Sequence, residues 1–389
     1  MTSQPVRGNR DGRLGSFLRD LRYAARRLRN NWGFTALAVV TLALGIGATT
    51  AVFSVVNGVL LKPLPYPNSD QTVALAERTK SGGDMNVANP NFTDIRDQNR
   101  DFDGVAFYEA EPTTILGGKD PVLAQAAFVS TDFFPIFRVN PVMGRTFTRD
   151  ETEPGGSPTA IVSYGYWRNN LGGAPNFSDR SVTMEGKTYR VVGVMPATFN
   201  FPASTDVWVA APVDLGPTRT AHNLRVAARL RPGVTLDHAR TDLGLIYSRL
   251  KNQYGKGMDA YGFTVQSMHD KLVGSIQRPL LLLLGAAALV LLVACTNVAS
   301  TQLAAGAARR GEIAIRAALG AKRGRMLRQL TTEGLLLAML GAAAGLALAA
   351  FVLKLMLALA PDGALPQVGD IRLDWRVVLF ALAAGILSA

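Results

Sequence analysis

The sequence has a single cysteine, Cys295, in 389 residues, so no disulfide can close within the chain. Its three histidines, His222, His238 and His269, show neither H-x3-H nor HExxH spacing, which leaves a zinc site without support. The absence of G-x-S-x-G removes the nucleophile turn of α/β-hydrolases. A nucleotide site is missing too. Gly45–Thr50 (GIGATT) lacks the third glycine and the preceding strand of a dinucleotide fingerprint. Gly186-Lys187-Thr188 ends like a Walker A loop, but Ser181 stands where its first glycine is required. No catalytic, cofactor or metal residues are therefore assigned, and any ATP-driven work has to draw on another polypeptide. Net charge is scarce across Lys62–Arg278, where 23 basic residues meet 22 acidic ones.

What is present is apolar length, with basic charge at its edges. Trp32–Leu61 and Pro279–Ala308 are uncharged runs of 30 residues each, and Gly334–Leu353 adds 20 before Lys354. A helix crosses the hydrocarbon core with about 20 residues. The net charge of +12 sits almost wholly in Met1–Asn31 (8 Arg, 2 Asp) and Arg309–Glu333 (7 basic, 2 acidic). Charge confined to the flanks of membrane spans is the positive-inside pattern and argues against a nucleic-acid surface. The expected class is an α-helical membrane protein with three complete spans, the start of a fourth, and an inserted mixed α/β extracytoplasmic domain.

The expected organisation is a cytoplasmic tail over 1–31, a first span over 32–61, an outer domain over 62–278 and a second span over 279–308. Cytoplasmic helices over 309–333 come next, then a third span over 334–360, an outer loop over 361–376 and a fourth helix begun at 377–389. This fourth run reads as a crossing cut off by the end of the chain. A secretory signal is disfavoured for the first run, because a signal core is about 7–15 residues. The protein is expected as a multi-pass inner-membrane protein with a cytoplasmic N-terminus.

Before the first span, Arg19, Arg22, Arg26 and Arg29 recur at helical spacing opposite Leu14, Phe17, Leu18, Leu21, Ala25 and Leu28. This predicts a basic amphipathic helix on anionic lipid headgroups, with Trp32 in the interfacial belt; a solvated helix in a cytosolic bundle is disfavoured, because it has too little partner sequence to pack against. Gly45 and Gly47 in the first span, and the GxxxG of Gly341 and Gly345 in the third, are candidates for close helix packing. Asn297, polar at membrane depth, is expected to bond a neighbouring helix. In the outer domain, Glu185-Gly186 reads as a hairpin turn, Asn91–Asn99 as a short helix, Ala160–Ser163 and Val207–Ala210 as strands, and Thr235–Tyr254 as an amphipathic helix.

The segment before the third span is patterned beyond what topology needs. Glu312 precedes Arg316 by one helical turn, Gly320 can stop that helix in left-handed geometry, and a second basic helix comes after it. A docking surface accounts for both the charge and the pattern.

Here EIAIRAALGAKRGRMLRQLTTEGLLL resembles the segment before the third helix of FtsX/MacB-type ABC permeases, in which E-I-x-[IL]-R-x-x-x-G-A is characteristic. FVSTDFF (128–134), NPVMGRTF (140–147), AIVSYGYW (160–167), VTMEGKTYRVVGVMP (182–196) and FNFPASTDVW (199–208) are similar to the MacB-like periplasmic core. The N-terminal stretch through LKPLPY resembles duplicated orphan permeases, of which this chain would form the first half. APNFS (174–178) departs from the Asp-Pro and Ile-Gly pattern of relatives.

The resemblance implies mechanotransmission, in which a separate ABC ATPase at the cytoplasmic face moves the outer domain to export or extract an amphiphilic substrate. It implies Glu312, Ile313, Arg316, Gly320, Ala321 and Arg323 as coupling residues, and a dimer or pseudo-dimer of permease units. A periplasmic adaptor joins the implied partners. The alternative is an anchored sensor or scaffold whose outer domain binds a ligand or envelope protein without a motor.

Overall fold

The computed structural model describes residues 11–116, 121–173, 179–213, 216, 218–307, 323–359 and 374–387. These fall into two compact units, a sheet unit over Lys62–Ser275 and a helical unit drawn from residues up to Leu61 and from Ile276 onward.

In the helical unit, α1 (Asp11–Asn30) precedes α2 (Trp32–Val56), which continues as a π-turn over Asn57–Leu61. Pro63 and Pro65 stand just beyond, and proline without an N–H cannot extend the helical ladder.

The sheet unit comes next in chain order. Its first part holds β1 (Thr72–Arg78), β2 (Asp84–Met85), α3 (Asn89–Gln98), β3 (Phe102–Leu116), β4 (Val122–Val129), α4 (Phe133–Phe137) and β5 (Met143–Gly144). Then come β6 (Thr159–Val162), α5 (Tyr164–Asn169), β7 (Ser181–Met184), β8 (Lys187–Val194) and β9 (Thr205–Ala210). It closes with β10 (Arg225–Leu230), α6 (Leu236–Tyr254) and β11 (Phe263–Ser267). The strands form one sheet in the order β11-β1-β10-β3-β4-β9-β6-β8-β5, with β2 on β1 and β7 joining β3 and β8.

Four of these strands, β11-β1-β10-β3, pair antiparallel throughout. Together with α3 and α6 they have split-βαβ topology, with everything from β4 to β9 inserted between β3 and β10. The insertion contributes parallel pairings of β4 with β9 and of β6 with β8.

The local reasons are legible. Helix α6 starts at Thr235, whose hydroxyl accepts from the His238 N–H, and buries Ala239, Leu243, Ile246 and Leu250. Helix α3 starts at Asn89, earlier than the expected Asn91, because Pro90 fits a first turn where its missing N–H is no loss. The β7–β8 hairpin turns through Glu185 (φ 50°) and Gly186 (φ 77°), the pair of positive φ values that matches strand twist.

One core of the sheet unit is aromatic. Phe133, Phe134, Phe137, Phe199 and Phe201 gather with Tyr66, Tyr108 and Trp208. Trp208 Nε1 donates to the Phe201 carbonyl at 2.9 Å, so its indole is buried without a loose donor. Beside this core lies a guanidinium. Arg229, 1% exposed, donates to the carbonyls of Ile136, Asn68 (3.1 Å) and Pro67 (3.2 Å) and to Gln71 Oε1 (3.2 Å). Its charge is spread over oxygen dipoles, and it ties the segment after the first span to β10 and α4. Arg229→Met is expected to lower stability by about 3 kcal/mol, since it strands several buried acceptors at once. Denaturant unfolding of the sheet unit's tryptophan signal in the full chain measures this, and an unchanged midpoint contradicts it.

The chain then forms α7 (Met268–Ala307), α8 (Arg323–Leu359) and α9 (Trp375–Leu387). Helix α7 begins before the expected boundary at 279, because Met268 and Leu272 have an apolar core of the sheet unit to pack against. Trp32–Leu61, Met268–Ala304 and Thr331–Met356 are long and apolar enough to cross a membrane.

Candidate functional site at the helix seam

Lipid supplies no hydrophobic force between helices, so close van der Waals packing has to hold them, and small residues allow it. Helix α2 approaches α8 where side chains vanish. A Cβ added at Gly341 would lie 2.6 Å from Leu42 Cβ, and one at Gly345 would lie 3.1 Å from Ile46 Cβ. From the other side, a Cβ at Gly47 would lie 3.0 Å from the Gly345 carbonyl oxygen. Gly45 faces α7, where its added Cβ would meet Ala294 Cβ at 3.0 Å. Leu42, Ile46, Val298, Leu337, Ala342 and Ala381 fill the shared interior, drawn from α2, α7, α8 and α9.

Polar links supplement this packing. Thr49 Oγ1 donates to its own helix at Gly45 O (2.7 Å) and lies 3.1 Å from Ala287 O on α7. Asn57 Nδ2 donates to Asp374 Oδ2 at 3.0 Å, and Phe53 stacks on Phe380 of α9 with centroids 4.3 Å apart. At the opposite end of α2, Arg27 of α1 forms an ion pair with Glu333 of α8.

The placement of the sequence-predicted residues is mixed. Gly45, Gly47, Gly341 and Gly345 all line helix contacts. Asn297 requires a correction. The helical phase turns Ala294 and Val298 inward and leaves Asn297 on the exposed face of α7, with no bond to a neighbouring helix among the described residues. Helix α1 also packs on the helical unit: Ala24 is fully buried, Leu28 packs on the interior cluster and Arg27 pairs with Glu333. Arg22, Arg26 and Arg29 remain exposed, Trp32 is 77% exposed, and Arg19 lies where α1 is described by its backbone alone. Of the coupling residues, Glu312, Ile313, Arg316, Gly320 and Ala321 lie outside the described residues, and Arg323 opens α8 with its backbone alone described.

Sequence reasoning missed Arg27, Asn57, Glu333 and Asp374. The sole signal was polarity at the edge of an apolar run. It also left the histidines unplaced. In the sheet unit His222 lies between Glu77 (Nδ1 to Oε2, 3.0 Å) and Asp259 (Nε2 to Oδ1, 3.0 Å). Burial pushes the Glu77 carboxyl above its ordinary range, against hydrogen bonds from Asn91 and the Ala88 N–H. No group of three or more such side chains that could hold a metal occurs among the described residues. A cleft of about 600 Å³ opens elsewhere in this unit, lined among others by Leu123, Gln125, Tyr164, Phe199 and Asp206. Its carboxylate, Asp206, accepts from the Gln125 N–H at 3.3 Å.

Comparison with known proteins gives two family matches. Residues 35–244 match the MacB-like periplasmic core domain, and residues 284–389 match the FtsX-like permease C-terminal domain. Among curated proteins, the pyoverdine export ATP-binding/permease protein PvdT of Pseudomonas aeruginosa is 29% identical over 228 residues, 57% of this chain and 33% of that protein. PvdT of Pseudomonas syringae pv. tomato is 25% identical over 326 residues, 81% of this chain and 47% of that protein. The chain thus spans a third to a half of the length of these relatives. Among solved structures, the periplasmic region of MacB from Actinobacillus actinomycetemcomitans matches with a TM-score of 0.40 and 13% identity, covering 58% of this chain and 97% of that one. The extracellular domain of the noncanonic ABC-type transporter YknZ from Gram-positive bacteria matches with a TM-score of 0.38 and 13% identity, covering 50% and 99%.

The seam makes a differential prediction. Gly341→Ala drives a methyl into Leu42 and is expected to cost about 1–3 kcal/mol, whereas Gly285→Ala, with nothing within 4 Å, costs nothing. Thermal melts of the two variants in detergent should separate by several degrees, and coincident melts would contradict the seam.

Proposed function

Because the chain belongs to the MacB-like, FtsX-like family of ABC transporter permeases, we propose that it works by mechanotransmission. A separate ATPase binds the basic segment Arg309–Glu333, and its closure moves α8, α2 and then the sheet domain, exporting or extracting an amphiphilic cargo. The observation that carries this reading is connectivity. The MacB-like domain is strung between α2 and α7, both apolar enough to span a membrane, and α2 packs closely on α8 at Gly47, Gly341 and Gly345. Helix α8 runs unbroken from Arg323 into its apolar stretch, so motion applied to its basic end is delivered along a rigid rod.

The orientation is argued from charge. The N-terminal helix and the 309–333 segment face the cytoplasm, and the sheet domain lies on the other side of the inner membrane. Exposed Arg22, Arg26 and Arg29 rest on anionic headgroups while Arg27 holds α1 to α8. The export role named for the PvdT relatives supports an outward direction of work. Two permease units, from two copies or from a duplicated chain, complete the assembly, and a periplasmic adaptor is a further partner of the sheet domain.

Gly320 is assigned the bend between the two coupling helices, Glu312 and Arg316 the first helix, and Ile313, Ala321 and Arg323 contact with the ATPase. Gly320→Pro is expected to leave the protein inserted in the membrane but abolish stimulation of the co-purifying ATPase in liposomes. Stimulation equal to the parent protein removes the coupling role. Failure of any ATPase to co-purify in detergent favours an anchored sensor instead.

A further inference from the structure

Helix α2 does not end as an ordinary α-helix. Its last turn, Asn57–Leu61, is π-helical, and Asn57 is 1% exposed. Such turns are rare and frequently mark functional sites. Here the Asn57 N–H is shared between the carbonyls of Phe53 and Ser54. The Asn57 side chain is held by Asp374, whose Oδ2 accepts from Nδ2 at 3.0 Å. The other oxygen, Asp374 Oδ1, caps α9 by accepting from the N–H groups of Arg376 (3.1 Å) and Val377 (3.2 Å). One carboxylate therefore fixes the start of α9 and the widened turn of α2 together. The Phe53–Phe380 stack adds a second point of contact between the same two helices.

The arrangement also leaves one polar atom of the turn unsatisfied. Among the described residues Asn57 Oδ1 is buried without a hydrogen-bond partner, a cost that another conformation can relieve. A π-turn carries about one residue more than an α-turn, and resetting it rotates the chain beyond Leu61 by about 100° around the helix axis. That would change the face from which the chain leaves the helical unit.

We propose that Asn57–Leu61 is a two-state hinge in the first span, latched in the π-form by the Asn57–Asp374 hydrogen bond. The proposal rests on the mechanotransmission reading, to which it adds the place where the span yields. In it Asn57 and Asp374 are positioning residues for the moving helix.

Three variants test the latch. Asn57→Asp sets two carboxylates against each other. Asp374→Asn keeps a good cap and a neutral bond. The exchange Asn57→Asp with Asp374→Asn restores the charge-assisted bond in reverse. Backbone hydrogen exchange in detergent is measured at 57–61 and at the start of α9. Asn57→Asp should raise exchange there by about tenfold, Asp374→Asn by less, and the exchanged pair should return it to within about twofold of the parent. The strands of the sheet unit should not change. Unchanged exchange in Asn57→Asp, or an exchanged pair no better than Asn57→Asp, overturns the latch. ATPase stimulation, read in parallel, separates the two levels. If the parent stimulates no ATPase, the mechanotransmission reading fails while hydrogen exchange still decides the latch. If the parent does stimulate, normal stimulation in Asn57→Asp removes the hinge from the transmission path.

Discussion

A peptide group in hydrocarbon has no water to bond, so every crossing here is a helix that satisfies itself. The same constraint forbids the usual means of holding helices together, because burying Leu42 or Ile46 against a neighbour gains little over burying them in lipid. What remains is close approach. The backbones of α2 and α8 approach directly at Gly47 and Gly345, and the Leu42 side chain of α2 packs onto Gly341. Thr49 and Asn57 then add directional links from α2 to α7 and to the cap of α9, while Arg27 of α1 reaches α8. The arrangement makes α2 the hub of the helical unit, touching each of the other long helices.

The sheet domain solves a different problem with different means. It has water outside and can use the hydrophobic effect in full, and it gathers aromatic rings around Trp208. Its buried Arg229 binds the segment that leaves the first span to the strand and helix behind it. The five-partner guanidinium fixes Pro67–Thr72 against β10 and α4.

Much of the architecture could be read from local signals. Apolar run length marked the three long helices, alternation around Glu185-Gly186 marked the hairpin, and helical spacing marked α6. The parts that could not be read are those whose partners are far away in the chain. Asn57 and Asp374 stand 317 residues apart, and nothing near either announces the other. Arg27 and Glu333 stand 306 residues apart, and neither carries a local signal of the other. Asn297 was misplaced for the opposite reason. Polarity alone marked it as a contact, while a helical phase set by Ala294 and Val298 turned it outward.

The proposed transmission requires the basic ends and the sheet domain to lie on opposite sides of one membrane. Replacing Cys295 by serine leaves a chain without cysteine, into which single cysteines can be placed at Arg22 and Tyr261, both exposed. Labelling cells with a membrane-impermeant maleimide, with the outer barrier opened and the inner membrane intact, should mark the cysteine at 261 and spare the one at 22 until lysis. Labelling at 22 in unlysed cells, or protection at 261, would contradict the account.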